Sequence, residues 1–265
     1  MRPVPELAAL FDPMGRVLLG YSGGVDSALL AVVAVRTIGR DRFTAVLGMS
    51  PSLGHAQQAR ARELASRFAV PLVELETHEL LDPDYRANPL DRCYFCKRTL
   101  WQTLGPYARE HRFDTIIDGT NADDLGEHRP GARAGAEAAV RSPLAELGWT
   151  KEDVRAASRE LGIPGWDAPA SPCLASRLRP QLEVPPARLA QVEAAERSLR
   201  ALGVAGDVRV RHHDDLARIE VQPEMFALVD GALESITAQF ARLGFTRVER
   251  DPRGYRRGSL TVLAR

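Results

Sequence analysis

The stretch Ser22-Gly23-Gly24-Val25-Asp26-Ser27 puts two hydroxyls, two glycines and a carboxylate into six residues. Glycines let a backbone approach an anion where a Cβ would collide. Serine hydroxyls add donors, and a carboxylate can hold a magnesium ion shared with phosphates. The apolar run Arg16 to Tyr21 precedes it and reads as a buried strand, and Ala28 to Val35 follows and reads as a helix. A strand, a glycine turn and a helix N-terminus make an anion site, because unpaired N–H groups and the helix dipole favour negative charge. A plain glycine turn capping a helix is the competing reading. The stretch lacks both G-x-x-x-x-G-K-[ST] and G-x-G-x-x-G, and no lysine follows it.

Three other stretches carry chemistry. Cys93-Tyr94-Phe95-Cys96 opens a helix, and residues three apart there share a face with Cβ atoms roughly 5–6 Å apart. With Cys173 they make three thiols, which suits a cluster with one open iron, since full ligation takes four. Zinc would need a fourth ligand, a redox pair needs only Cys93 and Cys96, and three buried small side chains is the plain reading. The loop Asp118-Gly119-Thr120-Asn121-Ala122-Asp123-Asp124 could contact a nucleotide or a second magnesium ion, or be an Asx-turn with an N-cap. In Val208-Arg209-Val210-Arg211 the two guanidiniums leave one strand face and could grip a phosphate, or lie on a solvated sheet face. Glu220 on the next strand could pair with either arginine. The Arg250 to Arg257 turn could close over an anion, and His212 and His213 read as surface residues.

These stretches need a frame. Strands are expected at Arg16–Tyr21, Phe43–Met49, Val70–Leu75 and Phe113–Asp118, alternating with helices at Gly54–Phe68 and Cys93–His111. Such alternation implies an α/β fold with a parallel sheet and helices on both faces. Ligands gather at the carboxyl ends of such strands, which places Ser22–Ser27, Met49–Ser52 and Asp118–Asp124 on one rim. Arg129-Pro130-Gly131 reads as a turn. Thr150–Leu161 reads as a helix with Thr150 as N-cap and Asp153 three residues on, followed by a loop carrying Cys173. Beyond a break near Pro180–Pro186 a small α+β unit is expected. Its elements are helix Ala187–Leu202, strands Asp207–His212 and Ala217–Val221, helix Pro223–Leu243, and strands Thr246–Arg250 and Ser259–Leu263. The domains are therefore drawn at 1–180 and 181–265.

At 265 residues and 45% hydrophobic composition the chain can bury a full core. Lys+Arg and Asp+Glu are equal at 35 each, which argues against a nucleic-acid substrate. Only Lys97 and Lys151 are lysines; the other cations are arginines. No run of about 18 apolar residues could cross a membrane and no signal peptide is visible, so a cytoplasmic protein is expected. Three cysteines are too few for a disulfide framework.

The Ser22–Ser27 loop resembles the PP-loop of ATP pyrophosphatases, S-G-G-x-D-S. With Arg92-Cys93-Tyr94-Phe95-Cys96-Lys97, Asp118-Gly119-Thr120-Asn121, Pro172-Cys173-Leu174-Ala175-Ser176-Arg177 and Arg209-x-Arg211 before Arg218-Ile219-Glu220-Val221, nearly the whole chain resembles the LarE family. The resemblance implies an ATP- and Mg²⁺-dependent sulfur transferase acting on pyridinium-3,5-biscarboxylate mononucleotide for nickel-pincer cofactor biosynthesis. Each carboxylate would be adenylated with release of pyrophosphate, and sulfur would then displace AMP. It implies Asp26 and Cys173 as catalytic residues, and Ser22 to Ser27, Met49, Asp118 and Arg177 around the nucleotide. Arg209, Arg211, Glu220 and Arg256 would lie at the substrate, and a homo-oligomer is implied. One branch of the family sacrifices the sulfur of the residue at Cys173. The other holds a [4Fe-4S] cluster, which the pattern Cys93, Cys96, Cys173 favours. A tRNA-thiolating relative or a non-catalytic nucleotide or iron–sulfur carrier are the alternatives; further C-x-x-C pairs and a basic surface would mark the first.

Overall fold

The computed structural model describes residues 2–125, 130–169 and 172–256. In chain order the elements are α1 (Val4–Phe11), β1 (Val17–Tyr21), α2 (Val25–Ile38), β2 (Phe43–Met49), α3 (His55–Arg67), β3 (Leu72–Glu76) and α4 (Pro83–Arg86). Next come α5 (Arg92–Glu110), β4 (Thr115–Ile117), α6 (Ala122–Leu125), α7 (Pro130–Glu137), α8 (Pro143–Glu146) and α9 (Lys151–Glu160). The chain continues with α10 (Pro186–Ala201), β5 (Arg209–His213), β6 (Leu216–Glu220), α11 (Phe226–Gly231), α12 (Leu233–Arg242) and β7 (Arg247–Arg250). The chain divides into two compact units. One holds Met1–Ser50, His55–Glu79 and Asp91–Ser171; the other holds Pro51–Gly54, Leu80–Leu90 and Pro172–Arg265.

The first unit is built on a parallel sheet in the order β3-β2-β1-β4. Continuous apolar runs form its central strands because helices cover both faces, so alternation has no polar side to serve. Leu18 of β1 and Val46 of β2 pack with Trp101, Leu104 and Ala108 of α5 and Ala134 of α7. Helix α2 is buried from Ser27 to Ala34, packed against β1 and β2 and covered by α1 and α9. Helix α9 starts where the sequence says. The Thr150 hydroxyl accepts the Asp153 N–H at 3.2 Å, and Asp153 Oδ2 accepts the Thr150 N–H at 3.2 Å. This capping box puts Lys151 at the first helical position. Pro130 and Gly131 open α7 rather than forming a turn, since proline suits a first helical turn. Arg129 lies outside the described residues.

The second unit has a three-stranded sheet in the order β5-β6-β7. β5 and β6 are antiparallel across a tight turn at Asp214, whose φ is +68°, and β6 and β7 are parallel. Its core gathers Leu199 of α10, Val210, Ile219, Ile236 and Phe240 of α12, and Phe245. The long helix expected over Pro223–Leu243 is instead a 3-10 turn (Pro223–Met225), α11 and α12, with a break at Ala232 after Gly231. A glycine beside the break lowers the cost of interrupting the helix there. The strand expected at Ser259–Leu263 lies outside the described residues.

The histidines also differ from expectation. β5 alternates, so His212 shares the core face with Val210, and it is buried rather than at the surface. Its Nε2 lies 3.0 Å from Gln191 Oε1, and its ring centroid 4.9 Å from that of Phe245. His213 on the other face is half-buried. Burial, reinforced by the nearby Arg188 charge, pushes His212 down to about 4 from an ordinary 6.5. The folded chain therefore holds this imidazole neutral where the unfolded chain would protonate it. The stability linked to it is complete above pH ~6.5 and is lost as pH falls through ~4, up to roughly 3 kcal/mol. Urea midpoints across this range should fall in the parent protein, and this component should be missing in His212→Gln.

Candidate functional site

One close contact limits which residue can stand in the loop between β1 and α2. Gly23 has φ +70°, and a Cβ there would lie 2.7 Å from the Ala61 Cβ of α3, so only glycine fits. The serines brace the turn: Ser27 Oγ donates to the Gly24 carbonyl at 3.0 Å and lies 3.2 Å from Ser22 Oγ, which accepts the Gly24 N–H at 3.3 Å. Gly24 is the N-cap of α2, so the N–H groups of Val25, Asp26 and Ser27 fall in the first turn, where a helix offers no internal acceptor. Gly119, just after β4, approaches so closely that a Cβ would sit 3.0 Å from the Ser27 nitrogen. Met49 is at the carboxyl end of β2 and is half-buried. Of the rim expected from the strand order, Ser22–Ser27, Met49–Ser50 and Asp118–Asp124 belong to the first unit, whereas Pro51 and Ser52 belong to the second.

Asp26 is the centre of this rim. Its Oδ2 receives the Lys151 ammonium at 2.5 Å and its Oδ1 the Asn121 side-chain amide at 3.1 Å. Asn121 Oδ1 also accepts the Asp123 N–H at 3.0 Å, and Asp123 Oδ2 accepts the Lys151 N–H at 2.7 Å. Asp118 is buried; its Oδ1 accepts the Thr120 N–H at 3.0 Å and the Ser142 hydroxyl at 2.8 Å, and its Oδ2 the Thr120 hydroxyl at 2.9 Å. It therefore shapes the turn after β4. The sequence offers Asn121 only as part of the Asp118–Asp124 loop and gives Lys151 no role at the site. The available signals were that Lys151 is one of two lysines in an arginine-rich chain and sits beside a helix cap. A magnesium ion is commonly held by one or two carboxylates plus substrate phosphates, which Asp26 fits once a nucleotide supplies the oxygens.

In the second unit the expected substrate residues form a buried charge network. Arg209 and Arg211 are not on a solvated face; each is over nine-tenths buried, at 4% and 6% exposure. Glu220 Oε2 accepts Arg211 Nε at 2.8 Å, and the Ser176 carbonyl accepts Arg211 Nη1 at 3.1 Å. Arg209 is held more loosely: its carboxylate contact, Asp207, is at 3.5 Å, its Nη1 donates to the Val208 carbonyl at 2.8 Å, and it lies over the Tyr255 ring. Burial, and then the nearby Arg177 charge, lower the Arg209 pKa. Arg177 pairs with Glu196 and donates to the carbonyls of Pro172 and Cys173. Arg256 lies 3.6 Å from the buried Asp251.

Cys93, at the exposed start of α5, and half-buried Cys96 belong to the first unit; half-buried Cys173, just before the 3-10 turn Leu174–Arg177, belongs to the second. Among the described residues there is no disulfide, and no group of three or more His, Cys, Asp or Glu is arranged to hold a metal ion. No described helix is long and apolar enough to cross a membrane.

A braced glycine turn feeding a helix N-terminus on a parallel sheet, with one carboxylate at its centre, marks a PP-loop protein that uses ATP. The NAD synthase family matches residues 12–85, which contain this loop. The chain is 42% identical to an uncharacterized protein of Synechocystis sp. over 96% of its own length and 95% of that protein's. It is 33% identical to the pyridinium-3,5-bisthiocarboxylic acid mononucleotide synthase of Lactiplantibacillus plantarum, over 96% of its own length and 92% of the synthase's. It is 28% identical to the glutamine-hydrolyzing GMP synthase of Corynebacterium ammoniagenes over 61% of this chain and 35% of that one. The chain belongs to the LarE family, that of the Lactiplantibacillus synthase.

Two outcomes follow from the rim. Gly23→Ala forces both a strained φ and a collision with Ala61, and ATP-dependent pyrophosphate release should fall by about 100-fold or more. Lys151→Gln removes the cation at Asp26 while leaving the Thr150 cap, and release should fall by about 10- to 100-fold with thermal stability changed little. A pyrophosphate assay beside a melting curve checks both.

Proposed function

We propose that this protein activates the carboxylates of pyridinium-3,5-biscarboxylate mononucleotide with ATP and Mg²⁺ and converts them to thiocarboxylates for nickel-pincer cofactor biosynthesis. The observation that carries the reading is the Asp26–Lys151–Asn121 group at the mouth of the braced loop. Helix N–H groups would receive the phosphates, Asp26 would take a share of the magnesium ion, and Lys151 would be released toward the leaving pyrophosphate. A substrate carboxylate oxygen attacks the α-phosphorus, the bond to pyrophosphate breaks, and an acyl adenylate remains. Sulfur then attacks the acyl carbon and AMP departs. In the second unit Arg209, with the loosest carboxylate contact of the buried arginines, is the proposed grip on the substrate phosphate. Arg211 and Glu220 would hold its orientation and Arg256 would lie nearby.

The first unit is proposed as the adenylating part and the second as the substrate-binding and oligomerising part of a cytoplasmic homo-oligomer. Equal numbers of acidic and basic residues support a small-molecule substrate over a nucleic acid. The sulfur source is proposed to be a [4Fe-4S] cluster ligated by Cys93, Cys96 and Cys173, supported by the family likeness and by two thiols one helical turn apart. Such a cluster would supply a sulfide on its open iron. The second reading is the other branch of the family, in which the Cys173 sulfur itself is given up. There the Cys173 thiolate attacks the adenylate and AMP leaves. Loss of the Cα proton with C–S cleavage then yields the thiocarboxylate and dehydroalanine.

Pyrophosphate release that needs the dicarboxylate, with oxygen-for-sulfur exchange seen by mass spectrometry, is the expected result. Release triggered by tRNA and not by the dicarboxylate would overturn it. Asp26→Ala should abolish release. Iron and acid-labile sulfide in protein purified without oxygen, lost in Cys93→Ala, are expected for the cluster. Iron-free protein that loses the elements of H₂S at Cys173 on turnover assigns the sulfur to the side chain.

A further inference from the structure

We infer that Glu196 and Arg177 form a brace that fixes the main chain at Cys173, so that both are positioning residues for this thiol. The inference rests on the role proposed above for Cys173 as the sulfur-bearing or cluster-ligating residue. Cys93 and Cys96 are positioned by the helix they sit on. Cys173 has no such support, because residues 163–169 preceding it on the described chain and Pro172 and Cys173 themselves lie in turns and irregular backbone. Something outside the segment has to hold it.

Glu196 faces inward from α10 and is 8% exposed. Its Oε1 accepts Arg177 Nε at 2.9 Å and the Val210 N–H of β5 at 3.1 Å, and its Oε2 accepts Arg177 Nη2 at 3.2 Å. The carboxylate thereby ties a helix, a strand and one edge of the guanidinium. The other edge of Arg177, 4% exposed, points at the thiol segment. Nη1 lies 2.5 Å from the Pro172 carbonyl, 3.0 Å from the Cys173 carbonyl and 3.1 Å from Ser176 Oγ. The Cys173 carbonyl also accepts the Ser176 N–H at 3.0 Å, and the Leu174 N–H donates to the Ser52 carbonyl at 2.8 Å. The backbone on both sides of Cα173 is therefore anchored.

A pair serving stability alone gives little reason for a buried charge. Apolar residues of like volume in place of a buried ion pair are often neutral or stabilising. This pair does what an apolar pair cannot: a planar fork reads a carboxylate on one edge and two consecutive carbonyls on the other. It also accounts for Arg177 differently from its expected place at the nucleotide, since its Nε and both terminal nitrogens are engaged within the second unit.

The test uses full-length protein with Cys93→Ser and Cys96→Ser, so that Cys173 is the only thiol, and follows its alkylation by iodoacetamide against pH. Adding Glu196→Gln should speed alkylation by about tenfold as the segment opens. In the three-cysteine protein the same substitution should lower sulfur transfer by about 100-fold while pyrophosphate release falls less than about twofold. Arg177→Lys, which keeps the charge and loses the fork, should speed Cys173 alkylation as Glu196→Gln does. If Glu196→Gln does not fold, Glu196→Leu with Arg177→Met keeps the core filled and should show the same alkylation change. Alkylation and transfer within about twofold of the parent in a folded variant would overturn the brace. Alkylation reads the brace without any reaction, so a parent lacking sulfur transfer would refute the proposed function while leaving this outcome readable.

Discussion

Everything at the nucleotide rim hangs on one carboxylate. Asp26 sits in the first turn of α2, and it is met by Asn121, 95 residues later, and Lys151, 125 residues later. Each partner is set by its own local structure: Asn121 by the turn that follows β4, Lys151 by the Thr150–Asp153 capping box. The Asp26 carboxylate is therefore held by an amide and an ammonium brought in by two separate elements. The loop has no lysine of its own, and the lysine that meets it arrives from a distant helix.

The second unit solves a different problem. Its sheet carries charge on the face away from its hydrophobic core, yet Arg209, Arg211 and Glu220 are buried. Desolvating guanidiniums is costly unless carboxylates and carbonyls meet them, and here Glu196, Glu220, Asp207 and the carbonyls of residues 172, 173, 176 and 208 do so. The looseness at Arg209 stands out against this background. Its nearest carboxylate is 3.5 Å away while Arg177 and Arg211 have theirs at 2.9 and 2.8 Å. Arg209 is thus the buried arginine whose charge is least closely met by a carboxylate.

Much of the fold could be read from periodicity. The four parallel strands, the α5 helix with its C-x-x-C and the α9 cap follow from local patterns, because apolar runs, helix spacing and capping residues act within a few residues of each other. The errors fall where a long-range contact overrode a local hint. His212 looked like a surface residue beside another histidine, but strand alternation and the Phe245 ring drew it into the core. The long C-terminal helix broke after Gly231 because α12 had its own place against the second core.

The sequence by itself determined the loop chemistry and its setting: glycines, hydroxyls and a carboxylate between a strand and a helix, a covalent order that no folding event changes. It also determined that Arg209 and Arg211 share a face, since strand alternation is local geometry. Only the tertiary structure decided which partners those charges meet. Lys151 at Asp26, Glu196 at Arg177 and Glu220 at Arg211 are pairings between separate elements. Their choice depends on which faces pack and which charges burial forces to find a counter-charge, and neither is written in the spacing of any one segment.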